Sequence, residues 1–415
     1  MTEVSESMLD RKTIEALARG KRCDMVRDMI EMSRIPSVNP AAGGPGEYKR
    51  TMWIAEKLKS WGVDYTIFEV PDERVEEGVR ISLMVRFAGC EDREKTLWFI
   101  AHTDTVAPGD LSLWDTDPFD PVERDGCIYG LGVEDNSQAV LCSLYTILLM
   151  KEQELRPKCN VAFLFSADEE TGSAYGLKDQ VKRGIFGPRD EAIVPDAGCA
   201  DGSFVEITEK SHCVMDFTVT GRQAHASMPQ LGINACSVGM RFAVALEDML
   251  KERFTLCDPL YDPPYSTFEL TQKFSNVASS NIIPGTDRFI MDMRVLPQIK
   301  LAEVRAAVDE LIAKFSYRYK VTITCAMNGA DAPAATPEDA PVVRNLLESL
   351  REAGVEARCG GIGGGTCGAI LRQIGIPSVV WSTIIELAHQ PNEHVVIDNL
   401  VADTGIYLAT VAKYC

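Results

Sequence analysis

The chain has 415 residues, too many for one ordinary hydrophobic core, so its length predicts two domains. Hydrophobic residues make up 46% and charged residues 25%, which is typical of a soluble globular protein. The formal net charge of −19 excludes nucleic acid as an expected partner, because phosphate backbones attract basic surfaces.

The sequence also predicts neither secretion nor a membrane partner. Residues 1–12 are polar and acidic and lack the apolar core of a signal peptide. The longest apolar run, within 139–150, is too short to span a bilayer. The thirteen cysteines are scattered and include no C-x-x-C pair, which favours reduced thiols over a disulfide framework. We therefore expect a cytoplasmic protein.

Up to residue 208, helix-like and strand-like apolar patterns alternate along the chain. Predicted helices cover 8–35, 47–61 and 137–150, and predicted strands cover 63–70, 79–87, 97–101, 160–167 and 192–194. The stretch 110–124, rich in Asp and Pro, has no period and is predicted to be a loop. This alternation predicts an α/β layer structure.

From residue 209 the pattern changes to one strand, a long helix, two strands, a helix and a last strand. The order β-α-β-β-α-β is that of a ferredoxin-like arrangement, so we predict an inserted domain at 209–327. After it the α/β pattern returns, with a helix at 340–353, a glycine run at 360–368, a strand at 377–381 and a helix from 398. The two flanking parts, 1–208 and 328–415, are therefore expected to form one domain.

Three buried strands end in polar side chains of the kinds that bind metals. His102 and Asp104 follow one of them, Glu169 and Glu170 the next, and Asp196 the third. On extended chain His102 and Asp104 point the same way. Ligands of open α/β sheets usually bind at the carboxyl ends of strands, so these side chains are expected at one site.

Five residues are candidate metal ligands: His102, Asp135, Glu170, Asp196 and His389. Imidazole nitrogen and carboxylate oxygen suit zinc or a similar divalent ion, and one bridging carboxylate would allow two ions. Other interpretations stay open at this point. Asp135 could cap the following helix, 168–170 could be a solvated loop, and His389 could be an ordinary surface histidine.

A set of motifs in fixed order extends over nearly the whole chain. They are AHTDTV at 101–106, YGLGVEDN at 129–136, SADEETGS at 166–173, VPDAG at 194–198, GRQAHASMPQLGINA at 221–235, SNIIPG at 280–285, DMRVLP at 292–297, GGT at 364–366 and HQPNE at 389–393. Through them the sequence resembles the M20 family of metal-dependent amidohydrolases and peptidases, and most of all its acetylornithine deacetylase and succinyl-diaminopimelate desuccinylase branch.

The resemblance implies a mixed-sheet, zinc-peptidase-like catalytic domain at 1–208 and 328–415, with 209–327 as an inserted lid and dimerisation domain. It also implies two Zn²⁺ ions, for which Co²⁺ or Mn²⁺ could substitute. In this scheme Asp135 bridges the ions. His102 and Asp196 complete one site, and Glu170 and His389 complete the other.

The resemblance further implies roles for residues that do not bind the ions. Glu169 is the general base and then the proton donor, and Asp104 orients His102. His225 reaches the active site of the partner subunit in a homodimer and steadies the oxyanion. The peptide bond between Asp135 and Asn136 is expected to be cis.

Arg294 and Asn281, assisted by Thr366, resemble the residues that hold the carboxylate of the substrate. The implied activity is therefore a dizinc hydrolase that cleaves an amide bond of a small N-acyl amino acid with a free carboxylate. Asp196 stands where deacetylases and desuccinylases usually carry Glu, so a di- or aminopeptidase acting on short peptides stays open. A catalytically silent binding protein on the same fold is the remaining alternative.

Overall fold

The computed structural model describes residues 9–415, and these divide into two compact units. The first unit holds the described chain up to Ile207 together with Ala335–Cys359 and Thr366–Cys415. The second unit holds Thr208–Ala334 and Gly360–Gly365. The predicted insertion at 209–327 lies inside the second unit, which runs on to Ala334 and takes in a separate short stretch.

The strands, in chain order, are β1 (Thr66–Pro71), β2 (Val79–Phe87), β3 (Asp92–His102), β4 (Val122–Arg124), β5 (Cys127–Tyr129), β6 (Cys159–Ser166), β7 (Glu191–Cys199), β8 (Phe204–Glu209), β9 (Ser211–Thr220), β10 (Ala224–His225), β11 (Thr267–Lys273), β12 (Ile282–Ile283), β13 (Thr286–Val295), β14 (Thr322–Gly329), β15 (Arg358–Ile362), β16 (Ser378–Thr383) and β17 (His394–Val396).

The α-helices are α1 (Arg11–Gly20), α2 (Arg22–Ser33), α3 (Tyr48–Ser60), α4 (Gln138–Glu152), α5 (Leu177–Lys182), α6 (Ala235–Arg253), α7 (Leu301–Tyr319), α8 (Pro341–Glu352), α9 (Cys367–Gln373) and α10 (Ile397–Ala412). Among the residues from 9 onward, no helix is both long and apolar enough to cross a membrane.

An eight-stranded mixed sheet has the order β1-β2-β6-β3-β7-β16-β8-β15. Strand β3 pairs in parallel with β6 and β7, and β7 pairs in parallel with β16. The pairs β1–β2 and β2–β6 are antiparallel. The predicted mixed α/β fold is confirmed, and the carboxyl ends of β3, β6 and β7 meet at one edge of the sheet.

Both faces of β3 are covered, which explains its continuous apolar sequence. Leu97 and Phe99 belong to a core with α2, α4 and α10, whereas Trp98 and Ile100 pack on the other face with residues of α5 and α9. Helix α4 is buried nearly throughout its length, from Gln138 to Met150. Rigid packing on both faces therefore fixes the end of β3, where His102 lies.

The second unit contains a four-stranded antiparallel sheet of order β11-β13-β9-β14. Alternate residues of β9 are buried, among them Cys213, Met215 and Phe217, and they form one core with residues of α6 and α7. One face of the sheet thus carries the helices. The observed order β9-α6-β11-β13-α7-β14 is the predicted β-α-β-β-α-β order, with the small β10–β12 pair in addition.

Two local predictions differ from the structure, and a glycine-rich stretch for which no element was predicted contributes to regular elements. The helix predicted at 8–35 is two helices, α1 and α2, which meet at Lys21 after the weak helix former Gly20. Residue 8 of that prediction lies outside the described residues. The loop predicted at 110–124 ends in β4, and the glycine run at 360–368 contributes to β15 and α9. Strand β5 pairs with β4 across a short local turn and with β17 from a distant part of the chain, and local periodicity cannot detect the second pairing.

The buried position of α4 leads to a stability prediction. Leu144→Ala removes a fully buried side chain from the core around α4 and should lower the free energy of unfolding by about 2–5 kcal/mol. Urea denaturation monitored by circular dichroism would measure this change. The control Ile374→Ala alters a side chain that is 45% exposed and should cost less than about 0.5 kcal/mol. Equal losses in both variants would contradict the packing described for α4.

Candidate metal centre

Asp135 lies between two histidines, with one carboxylate oxygen directed at each. The distance from His102 Nε2 to Asp135 Oδ1 is 2.9 Å, and that from His389 Nε2 to Asp135 Oδ2 is 3.2 Å. Asp196 Oδ1 lies 3.3 Å from His102 Nε2, and Glu170 Oε2 lies 3.1 Å from His389 Nε2. The five predicted ligands are therefore all brought together.

These residues stand at a strand end, within a strand, or in turns and irregular segments. His102 is the last residue of β3, as predicted, whereas Asp196 lies within β7, which continues to Cys199 beyond the strand end predicted before it. Glu170 follows β6 in a short 3₁₀ turn, Glu169–Thr171. Asp135 precedes α4 but is not its cap, because the helix begins at Gln138 with Ser137 before it. His389 lies in the segment between β16 and β17, with a positive φ of 63°.

The cluster concentrates carboxylates where water has little access. Burial raises the pKa of Glu169 well above its usual value, and the charge of Asp196 raises it further. Burial likewise raises the pKa of Glu170. The pKa of Asp135 falls instead, because its hydrogen bonds to the two histidines outweigh the effect of burial. Carboxylates packed this closely repel one another unless positive charge lies among them.

The two histidines supply that positive charge in the present arrangement. Hydrogen bonds to Asp135 and Glu170 raise the pKa of His389 to about 10. Burial opposes a charge on His102, but Asp196 and the hydrogen-bonded carboxylates around it raise its pKa well above 6.5. Divalent cations would relieve the same excess of negative charge.

The donor atoms fit one or more divalent cations. One atom each from His102, Asp135 and Glu170 lie within 4.8 Å of one another, and so do atoms of His102, Glu169 and Asp196. Neutral imidazole nitrogens and carboxylate oxygens are the ligands that Zn²⁺, Co²⁺ and Mn²⁺ accept. The residues thus suit a dinuclear centre in which Asp135 is shared.

Asp104 contacts several parts of the candidate metal centre. Its backbone carbonyl oxygen lies 3.0 Å from His102 Nδ1, and its carboxylate lies 3.6 Å from the same nitrogen. The carboxylate also accepts the backbone N–H groups of Glu169, at 3.0 Å, and Glu170, at 3.3 Å. Asp104 therefore touches both the histidine and the turn that carries the two glutamates.

The buried cation Arg80 and the amide of Asn39 stabilise the carboxylates beside the cluster, and no local pattern in the sequence predicted either contact. Arg80 is 1% exposed, pairs with Glu47 at 2.6 Å and lies 3.3 Å from Asp168. Asn39 donates from Nδ2 to Asp104 at 2.8 Å and to Asp168 at 3.2 Å. Their positive charge and N–H groups offset the carboxylates beneath the cluster.

Three more residues, which the sequence did not indicate as site residues, form hydrogen bonds with the segments that carry the candidate ligands. Asn136 donates from Nδ2 to Asp196 Oδ1 at 2.9 Å. The peptide bond between Asp135 and Asn136 is cis, as predicted. Glu393 accepts the backbone N–H groups of Glu134 and Asp135, and Glu134 accepts that of Leu387, two residues before His389. Glu393 stands in the HQPNE motif at 389–393, so its position was visible, but its partners lie about 260 residues earlier in the chain.

Thr366, the remaining predicted site residue of the first unit, caps α9. Its Oγ1 accepts the backbone N–H of Gly368 at 3.0 Å. The next residue, Cys367, is buried, and its Sγ lies 3.8 Å from Ser173 Oγ. Burial raises the pKa of the Cys367 thiol, and the carboxylates of Glu169 and Asp196 add to the shift.

His225, Asn281 and Arg294 belong to the second unit. The backbone N–H of Ala226 donates to the carbonyl oxygen of Asn281 at 2.8 Å, so Asn281, directly before β12, lies beside the end of β10, where His225 stands. The His225 side chain is exposed, and its Nδ1 lies 2.7 Å from the hydroxyl of Ser227.

Arg294 has two partners within the second unit. It donates to Asp292 at 2.8 and 3.3 Å and from Nη1 to the carbonyl oxygen of Gly363 at 2.8 Å. Asp292 also contacts His212, with 2.9 Å between Nε2 and Oδ2. Asp292 thus binds the edge of the guanidinium formed by Nε and Nη2. Nη1 and Nη2 each carry a second N–H group that these bonds do not use.

The sequence matches a known protein family and several of its members. The model of peptidase family M20/M25/M40 matches residues 98–413. An uncharacterized metallohydrolase of Methanocaldococcus jannaschii is 36% identical over 408 residues, covering 92% of this chain and 98% of its own. The succinyl-diaminopimelate desuccinylase of Acinetobacter baylyi is 23% identical over 402 residues, covering 93% and 97%.

A solved structure extends the likeness to the fold. A tripeptidase of Staphylococcus aureus matches with a TM-score of 0.75 at 19% identity, covering 94% of this chain and 99% of that one. At such identity the match concerns the fold alone.

The carboxylate cluster leads to a metal-binding prediction. Saturating Zn²⁺ or Co²⁺ should raise the Tm of the metal-free protein, because a ligand at 100 times its Kd adds about 2.7 kcal/mol to stability. Asp135→Asn should lose most of that gain in Tm, because an amide has a single, uncharged oxygen and cannot offer an anionic ligand beside each of the two histidines. Differential scanning calorimetry measures both. The exposed control Asp64→Asn should respond like the wild type, and a full gain in Asp135→Asn would refute the prediction.

Proposed function

This chain belongs to peptidase family M20/M25/M40, and we propose that it is a dizinc hydrolase of small N-acyl amino acids that carry a free carboxylate. Membership makes it a metal-dependent hydrolase of amide or peptide bonds. One observation carries the dinuclear part of the proposal: Asp135 presents one oxygen to His102 and the other to His389, and Glu169 lies near His102. The similarity to succinyl-diaminopimelate desuccinylase supports the N-acyl substrate class.

In the proposal, Asp135 is the ligand shared by two zinc ions. His102 and Asp196 would complete one site, and Glu170 and His389 would complete the other. Divalent ions held in this way lower the pKa of water and polarise a carbonyl group. The two distances from Asp135 to the histidine nitrogens, 2.9 and 3.2 Å, support the proposal that Asp135 would be the shared ligand.

Glu169 is the proposed general base. Its backbone N–H is held by Asp104, so the position of the residue is fixed by the same carboxylate that touches His102. The side chain would take a proton from the attacking water and pass it to the leaving nitrogen. Asp104 is proposed to orient His102 and the Glu169 turn together.

Substrate recognition is proposed for the second unit and for Thr366. Arg294 keeps N–H groups on its terminal nitrogens, and a guanidinium fork matches a planar carboxylate. Asn281 and Thr366 would assist it. His225, which is exposed, would steady the negative oxygen that forms on the amide carbon.

A di- or aminopeptidase of the same family is the second candidate. Asp196 favours this candidate, because deacetylases and desuccinylases of the family usually carry the longer Glu at this position. Its Oδ1 lies 3.3 Å from His102 Nε2 and accepts a hydrogen bond from Asn136. Against a silent binding protein stands the complete set of ligands, together with a second carboxylate at Glu169.

We also propose a homodimer formed through the second unit, and a cytoplasmic location. Helix α6 supports the first proposal, because its side chains Met240 and Val244 are 52% and 57% exposed. The scattered cysteines, all thirteen of them free, support the second.

A substrate panel tests the proposed function. Enzyme loaded with Zn²⁺ or Co²⁺ should hydrolyse N-acetyl or N-succinyl amino acids faster than dipeptides, as measured by release of the free amine. Faster hydrolysis of dipeptides would transfer the assignment to the second candidate. Glu169→Gln should lower kcat by roughly 10²–10⁴-fold and retain its metal, because only proton transfer is lost. The control Glu31→Gln, at an exposed site on α2, should match the wild type.

Arg294 gives a second prediction. Arg294→Ala should raise KM for substrates with a free carboxylate about 10–100-fold, because a charge-assisted fork is lost. Substrates with an amidated carboxyl group should show little change, and kcat should change less than KM. Steady-state kinetics with matched acid and amide substrates would measure both. An equal effect on the two substrates would contradict carboxylate binding by Arg294.

A further inference from the structure

Two buried glutamates bind the turn before α4 and the segment between β16 and β17 to each other. Glu134 is 4% exposed and Glu393 is 1% exposed. Neither is a candidate metal ligand, and the mechanism above uses neither. Each carboxylate accepts backbone N–H groups of the segment that carries the other glutamate.

The contacts run in both directions. Glu134 Oε1 accepts the N–H of Ile385 at 2.6 Å, and its Oε2 accepts the N–H of Leu387 at 2.6 Å. Glu393 Oε2 accepts the N–H of Gly132 at 2.7 Å. Glu393 Oε1 accepts the N–H groups of Glu134, at 2.9 Å, and Asp135, at 3.0 Å. Five N–H groups thus bond to two carboxylates, and we name the pair the glutamate clasp.

The clasp joins the two segments that carry Asp135 and His389. Asp135 is one of the residues whose N–H is bound, and His389 stands between Leu387 and Glu393. The segment 384–393 is irregular, and three of its non-glycine residues have positive φ: Glu386, His389 and Asn392. Such backbone conformations persist only where surrounding contacts hold them. Hydrogen bonds to charged acceptors are about twice as strong as neutral ones.

The neighbouring contacts extend the same junction. Strand β17, directly after Glu393, pairs with β5, where His394 lies opposite Tyr129 and their rings stack. The carbonyl oxygen of Glu393 accepts the N–H of Gly130 at 3.0 Å. The ladder fixes one end of the segment 384–393, and Glu134 holds its other end at Ile385 and Leu387.

We propose that the glutamate clasp is a positioning device that fixes His389 against Asp135 before any metal ion binds. The proposal rests on the assignment of Asp135 and His389 as ligands of one ion. Without Glu134 the segment keeps its anchor at β17 but loses the bonds that hold its first half. His389 would then sample positions out of reach of Asp135, and the ion held by His389 would bind more weakly.

Glu134→Gln tests the proposal, because an amide can accept at one atom only and turns an N–H donor toward Ile385 or Leu387. The control is Glu386→Gln, the same change in the same segment at an exposed position. In metal-free protein, hydrogen exchange by mass spectrometry should show faster exchange in 384–393, by about tenfold, for Glu134→Gln. Glu386→Gln should exchange like the wild type.

Metal titration supplies the second readout. Calorimetric titration of Co²⁺ into Glu134→Gln should show one ion bound as in the wild type and the other bound roughly 10–100-fold more weakly. Unchanged exchange in 384–393 would overturn the proposal, and so would faster exchange with unchanged affinity for both ions. A wild-type protein that binds a single ion would refute the dinuclear function, while the exchange experiment would still decide whether the clasp holds the segment. If Glu134→Gln fails to fold, Glu134→Asp, one methylene shorter, should show the same effects in smaller measure.

Discussion

The shared contact of Asp135 with His102 and His389 is the interaction on which the first unit depends. It brings together three parts of the chain that are far apart in sequence: the end of β3, the turn before α4 and the segment after β16. The end of β3 and the segment after β16 reach the site because both strands run parallel to β7 in one sheet, so they end at the same edge. The turn before α4 is held there by the bonds from Glu393 to the N–H groups of Glu134 and Asp135. The carboxylates that gather there repel one another, so the surrounding structure has to supply compensating charge and N–H groups.

That compensation is arranged in layers. The histidines face the carboxylates directly, Asn39 and backbone N–H groups meet Asp104 below them, and Arg80 lies deeper still. Buried charges without partners would cost several kcal/mol each, so these partners are a condition for the cluster to exist in a folded protein. The arrangement also explains why polar groups such as His102, Asp104 and Asp168 are buried around the end of β3.

The sequence predicted the parts of the structure that local patterns encode. The apolar run before His102 identified β3, the change of pattern at residue 209 indicated a second domain, and the mixed α/β fold is confirmed. The approach of His102, Asp135 and His389 was expected from motifs and from resemblance, and their roles stay predictions.

What could not be predicted depends on contacts between distant residues. The backbone groups that bond to Glu393 lie about 260 residues earlier in the chain. Arg80 lies in β2, and nothing in the sequence of that strand indicates an ion pair with Asp168. The pairing of β17 with β5 likewise joins distant parts of the chain. The break between α1 and α2 at Lys21 is a different case, because Gly20 was a visible but weak signal.

The stretch Gly360–Gly365 limits how recombination can exchange the second unit between related proteins. It returns to that unit after the chain has already left it, and three bonds fasten it there: Lys210 N–H to Ile362, Gly361 N–H to Leu260, and Arg294 to Gly363. The chain therefore passes between the units at four points instead of two. Recombination that swapped the contiguous segment alone would separate Arg294 from the carbonyl oxygen that orients it, so the two pieces are expected to vary together among relatives.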